Sequence, residues 1–165
     1  MSYTIPLTQG YTATVDDEDY ELVSQYVWHA HRSKVHVYVV TKPGKQAIFL
    51  HRLILDAKIG EQVDHINGDT LDNRRSNLRI CTQSQNIANQ KVRLDTKTGF
   101  KGVSLSPRRN DIRYRSHIEH HGNRYHLGYF TTPEEAARAY DSKAIELHGD
   151  FAHLNFPSNH AGEDA

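Results

Sequence analysis

The chain has 165 residues, 20 Lys and Arg against 20 Asp and Glu, twelve His and a single Cys. That length accommodates one domain or two small ones; no apolar run approaches a membrane span, and Cys81 alone excludes an internal disulfide or a thiolate-rich zinc site. Net charge is zero but segregated, with seven Lys or Arg against two acids from Lys97 to Arg124 and five acids in the six residues Asp16 to Glu21, and phosphate responds to local charge.

The first residues, MSYTIPLTQGY, lack the basic start and apolar core of a secretory signal, so a cytoplasmic, intracellular protein is expected. Residues 3 to 15 alternate apolar and polar about Gln9-Gly10, which predicts a β-hairpin. Asp16 then reads as the N-cap of a helix with Tyr20, Val23 and Val27 at helical spacing. The acids at its start are read as a solvated first turn, where the helix dipole favours them, rather than as a metal site. Val35 to Val40 and Gln46 to Leu50 are β-type runs separated by Lys42-Pro43-Gly44-Lys45, a turn sequence with hairpin spacing. His51 and Arg52 precede a short helix at Leu53 to Leu55; they could reach a phosphate or serve the structure.

The stretch DHINGDTLDNRRSNLRICTQSQN, Asp64 to Asn86, carries the chemistry. Val63 to Ile66 is a short strand, Asn67-Gly68-Asp69 turns the chain, Leu78 to Ile80 is a second short strand, and Thr82 with Gln85 forms a capping box that opens a helix. Asp64, His65, Asn77 and Asn86 are then able to converge on one point. Residues 89 to 99, NQKVRLDTKTG, are polar and turn-rich, and place a domain boundary there.

Beyond it, Arg113-Tyr-Arg-Ser-His-Ile118 and Arg124-Tyr-His-Leu127 flank a His121-Gly122-Asn123 turn. With period two, Arg113, Arg115, His117, Arg124 and His126 share one hairpin face, and Tyr114, Ile118, Tyr125 and Leu127 share the other. Gly102 to Leu105 supplies a third strand. A cationic face with no acid among these five groups is read as an anion-binding surface, since unselected surfaces mix signs. Lys101, Arg108 and Arg109 extend the same basic character. A helix follows, with Thr132 at N-cap, Pro133 at N1, Glu135 at N3 and Gly149 past its end; Ala136, Ala137, Tyr140, Ala144 and Leu147 form its apolar stripe. His160 to Ala165 reads as a frayed tail.

Hydrolysis of a phosphodiester needs a group to take a proton from water and charge to stabilise the phosphate and the departing 3′ oxygen. His65 can be the base, because imidazole titrates near neutral pH. Asp64 and Asn86 offer two hard oxygen ligands suited to Mg²⁺. Asn77 could hold the loop or orient the imidazole.

On these residues, 64 to 86 resemble the HNH, or ββα-metal, nucleases, in particular the phage and intron-associated homing endonucleases in which the final His is replaced by Asn. Val15-Asp16, Tyr26 to Trp28 and Leu50-His51-Arg52-Leu53 resemble that subfamily's N-terminal region, so the resemblance spans about residues 1 to 90. It implies Asp64 and Asn86 as metal ligands, His65 as general base, Asn77 as the middle Asn, and products with a 5′-phosphate and a 3′-hydroxyl. An amide in the last position favours Mg²⁺ or Mn²⁺ over Zn²⁺. Residues 99 to 157 resemble the plant Apetala-two or ethylene-response-factor DNA-binding domain through Gly102-Val103, Leu127-Gly128-Tyr129-Phe130, Glu135-Ala136-Ala137, Ala139-Tyr140-Asp141 and Leu154-Asn155-Phe156. That family lays a three-stranded sheet in the major groove. Ser104 stands where the plant domains have Arg, and His126 where they have a strand Trp, so the family's target preference is not carried over.

The expectation is an α+β chain: an HNH nuclease domain at 1–90 with its ββα core at about 60–92, a linker at 91–98, a three-stranded antiparallel sheet packed on one helix at 99–157, and a tail at 158–165. Its expected activity is nicking of double-stranded DNA at a preferred site, as a monomer needing Mg²⁺ or Mn²⁺, with no membrane partner. A DNA-binding regulator whose nuclease half is inactive is the alternative. A third reading, histidine-rich metal binding through His29/His31 and His117/His120/His121, is set aside because those spacings on strands do not converge.

Overall fold

The computed structural model describes residues 1–90, 97–108 and 111–157, with the backbone alone at 108 and 111. It divides into two compact units, Met1–Asn86 and Ile87–Ala165. Among the described residues no helix is long and apolar enough to cross a membrane. The fold is α+β, as the hydrophobic pattern predicts.

In the first unit, β1 (Ser2–Pro6) and β2 (Thr12–Asp16) form the expected antiparallel hairpin, with Ile5 opposite Ala13 on the buried side. The next segment departs from expectation. A 3₁₀ turn (Asp17–Asp19) leads into α1 (Tyr20–Ser24), only five residues long, so Val23 is buried while Val27 stays 75% exposed. Asp16 caps no helix: its carboxylate accepts the backbone N–H of Arg75 at 2.7 Å. Asp19 is buried rather than solvated, and takes the Arg75 guanidinium at 2.7 Å. A helix this short has too little dipole to hold its acids, and a guanidinium brought from far along the chain holds them instead.

Next come β3 (His29–Arg32), β4 (Val37–Thr41) and β5 (Ile48–Phe49), antiparallel in the order β3-β4-β5, then α2 (Leu50–Ile54). Hydropathy gives little sign of strand β3, because in its sequence HAHR only Ala30 faces the interior. The core gathers Ile5, Val15, Val23, Trp28, Val39, Leu50, Ile54 and Leu78. Trp28 donates its indole N–H to the Val23 carbonyl at 2.8 Å, which satisfies its one polar atom. Against this core lie β6 (Gln62–His65) and β7 (Leu78–Cys81), an antiparallel pair followed by α3 (Gln83–Asn89). The capping box forms: Gln85 N–H donates to Thr82 Oγ1 at 3.3 Å, and Thr82 N–H to Gln85 Oε1 at 2.8 Å.

In the second unit, β8 (Val103–Arg108), β9 (Asp111–His120) and β10 (Asn123–Phe130) make an antiparallel sheet in the order β10-β9-β8, with α4 (Pro133–His148) against it. Thr132 and Glu135 form a complete capping box. Ala136, Ala137 and Ala144 are small enough to bring the helix against Val103 and Ile118, and Tyr140 fills the space left at Gly102. Gly102 is obligatory there: its φ is +73°, and a Cβ would lie 2.0 Å from the Tyr140 ring. Asp141, buried on α4, accepts the backbone N–H groups of Asn155 (2.8 Å) and Phe156 (2.9 Å), and Asn155 in turn brackets both backbone polar groups of Lys101. The LNF segment closes the second core through these bonds.

Candidate functional site

Strand alternation sets the chemistry of the ββα element. Successive side chains of β6 leave opposite faces, so Gln62 and Asp64 share one face while Val63 and His65 share the other. On the first face Asn86 of α3 donates its side-chain N–H to Gln62 Oε1 at 2.9 Å, which turns its amide oxygen away from Gln62. Asp64 is 6% exposed and lies opposite Arg79 in the β6–β7 register. Arg79 donates to Asp64 Oδ2 from Nε at 3.0 Å and from a terminal nitrogen at 2.8 Å. A carboxylate oxygen and an amide oxygen are the donors a hard divalent ion takes, and Arg79 supplies the counter-charge that a buried carboxylate requires. The side chains present therefore fit such an ion.

On the other face, His65 is 5% exposed, at the very end of β6. Its Nε2 lies 3.4 Å from Asn73 Oδ1. An amide oxygen can only accept, so this pairing puts the imidazole proton on Nε2 and leaves the lone pair on Nδ1. Burial holds His65 below the ordinary imidazole pKa; the Asn73 bond and the nearby Asp64, Asp69 and Asp72 act against that lowering. The neutral form, the one able to accept a proton, is thus present at neutral pH. His51 packs edge-on to His65 with ring centroids 5.1 Å apart, and burial, reinforced by His65 and Arg52, drives its pKa down to about 3. Arg52 is engaged within the unit, donating to the carbonyls of Glu61, Ala57 and Lys58 at 2.6 to 3.1 Å.

Asn77 is buried in the turn that joins the two faces. Its Oδ1 accepts the Asn67 N–H at 2.9 Å and its amide donates to the Asp72 carbonyl at 2.7 Å, clamping both ends of the 67–72 loop. Asp64 and Asn86 are thus brought to one side of β6, His65 to the other, and Asn77 holds the loop between. Sequence reasoning did not find Asn73, Gln62 or Arg79. Gln62 could have been found from its two-residue offset to Asp64; Asn73 and Arg79 need the loop path and the strand register.

The second unit presents its own face. The β9–β10 register pairs His117 with His126 and Arg124 with Glu119, and a register shift after His126 pairs Tyr129 with Arg115. Arg113, Arg115, His117, Arg124, His126 and Tyr129 therefore lie on one side, away from the Ala136–Tyr140 core, with Ser104 and Ser106 from β8. One expectation is corrected: the face is not free of acid, because Glu119 belongs to the same alternation and binds Arg124 at 2.5 Å. Burial and the flanking Arg124 and Arg115 lower the pKa of His117, so it joins the face as a neutral group. Lys101 does not point outward: its ammonium donates to the carbonyls of Ala88 (2.5 Å) and Gln90 (2.7 Å), and burial lowers its pKa to about 8. Arg109 lies outside the described residues, as does the side chain of Arg108.

Residues 49–88, from β5 through most of α3, match the family described as HNH endonuclease. An uncharacterized HNH endonuclease, L560, of Acanthamoeba polyphaga mimivirus is 32% identical over 149 residues, covering 89% of this chain and 76% of its own. Protein 3.8 of Escherichia phage T7 is 31% identical over 93 residues, covering 56% of this chain and 74% of its own. The ethylene-responsive transcription factor ERF024 of Arabidopsis thaliana is 46% identical over 62 residues, 36% of this chain and 33% of its own. No solved structure matches. With the ββα element in place and a relative that shares most of both chains, this protein belongs to the HNH endonuclease family.

Proposed function

We propose that the chain is a Mg²⁺-dependent DNA endonuclease that nicks duplex DNA at a preferred site. The observation that carries this reading is β6 itself, which holds a buried, neutral imidazole at its end and, on its opposite face, a buried carboxylate with the amide of Asn86 brought to the same side. Asp64 and Asn86 would hold the ion; when bound, it supplies positive charge to the phosphate and the departing 3′ oxygen. His65 accepts a proton from the attacking water at Nδ1. Asn73 holds the opposite nitrogen and so fixes the tautomer. Asn77 keeps the loop closed beneath the phosphate. Arg79 balances the charge of the buried Asp64. Hydrolysis would leave a 5′-phosphate and a 3′-hydroxyl, as the resemblance to the HNH nucleases implies. One such centre per chain cuts one strand, which favours a nicking monomer.

The second unit supplies affinity. Residues 99–157 act as an Apetala-two-like module that lays the Arg113–Arg115–Arg124 face in a DNA groove, and the resemblance to ERF024 supports this use. Two modules on one chain raise each other's effective concentration, so the nuclease unit needs little affinity of its own. In the test, supercoiled plasmid carrying candidate sites is incubated with the protein and Mg²⁺, Zn²⁺ or a chelator. Open-circular product should build up with Mg²⁺ and not with the others. Equal rates with Zn²⁺ would refute the hard-donor assignment.

A further inference from the structure

The tip of the second sheet holds a cluster that the nuclease reading leaves unused. His120 ends β9, His121 opens the turn, and His148 is the last residue of α4. Residues 28 apart are thereby brought together: the His120 ring centroid lies 4.0 Å from that of His121 and 4.9 Å from that of His148. Spacing along the chain did not show this, because the third imidazole comes from a different element. His117, which the sequence groups with these residues, lies on the other face of β9.

Two further observations bear on the cluster. His120 Nδ1, like Nδ1 of His51 and His117, is buried with no hydrogen-bond partner among the described residues, an arrangement that costs stability unless something else satisfies the atom. His121 and Gly122 both have positive φ, +48° and +77°, between the paired residues His120 and Asn123. That is a type I′ turn, for which Asn-Gly or Asp-Gly is the favourable sequence. A histidine at the first central position forgoes this local advantage, and strained positions of this kind gather at functional sites.

We infer that His120, His121 and His148 form a second metal site, for a borderline transition ion such as Zn²⁺, with the fourth position open to water. Imidazole suits zinc, cobalt and nickel, whereas the Asp64–Asn86 oxygens suit magnesium. His120 would offer its orphaned nitrogen, and His121, exposed at the tip, closes on the ion by side-chain rotation. The bound ion would tie the β9–β10 turn to the C-terminus of α4, fastening sheet to helix. Among the described residues only Asp16, Glu18 and Asp19 already hold three such donors within 4.8 Å of one another, and they bind Arg75; the imidazole trio needs the His121 rotation to reach that spacing.

The test uses the untagged full chain carrying Asp64→Ala and Asn86→Ala, so that the nuclease centre cannot respond, with Mg²⁺ held in excess. Thermal unfolding is followed with and without Zn²⁺, and Co²⁺ serves as a visible probe of tetrahedral ligation. At a hundredfold excess over Kd, Zn²⁺ should raise the melting temperature of the second unit by about 10 °C. His121→Asn is the decisive variant, since Asn-Gly suits the turn. Without metal it should melt no lower than its parent, yet it should lose most of the Zn²⁺ shift and the Co²⁺ band; His148→Gln should lose both. A Zn²⁺ shift that is absent in the parent, or equal in parent and both variants, overturns the inference.

Discussion

The buried imidazole of His65 makes a specific demand on pH. A general base must be unprotonated, so activity falls as pH drops through its pKa, and burial places that pKa below the ordinary 6.5. The acid limb of kcat/KM should therefore lie below pH 6.5; a limb above it would mean that another group is titrating or that the site is open to water. Asn73→Ala removes the bond that raises the pKa, so its acid limb should shift further toward low pH. Loss of the tautomer lock should also lower kcat by about tenfold to a hundredfold. Asp64, His65, Asn77 and Asn86 were legible in the sequence as chemically apt residues at suggestive spacings. Asn73 was not: an Asn in a polar loop looks like any other until the loop folds back and buries it completely.

Elements built from strong local signals were readable, and those held by distant partners were not. The capping boxes at Thr82 and Thr132, the hairpin about Gln9-Gly10 and the two-faced β9–β10 hairpin each follow from rules acting within a few residues. Helix α1 ends early and its acids turn to Arg75, 56 residues away from Asp19, a pairing no local pattern encodes. Glu119 was overlooked because the basic run was read by its cations, although period two places it on the same face. Asp141 illustrates an element closed by one buried side chain. Its replacement by Ala strips the acceptor from the Asn155 and Phe156 backbone N–H groups, and should destabilise the second unit by about 2–4 kcal/mol in denaturant titration. On the opposite face, Arg113→Ala with Arg115→Ala should weaken DNA binding and lower the slope of log K against log salt by about 1 per lost phosphate contact; an unchanged slope would remove that face from the DNA interface.

At the scale of the whole molecule, neutrality of total charge conceals a segregation of charge along the chain. The first unit concentrates an acid, an imidazole and amides about one short strand, and the second spreads cations over a sheet. The proposal makes the first the cutter and the second the holder, so a change in one should leave the other's measurement intact. The alternative, a DNA-binding regulator, gives the nuclease unit a merely structural role. The most direct measurement compares wild type with His65→Ala on supercoiled target DNA with Mg²⁺, with affinity for the same DNA measured in parallel. The account predicts nicking by the wild type, at least about a hundredfold slower nicking by the variant, and equal affinity for both. Binding by both proteins with no cleavage by either would contradict it.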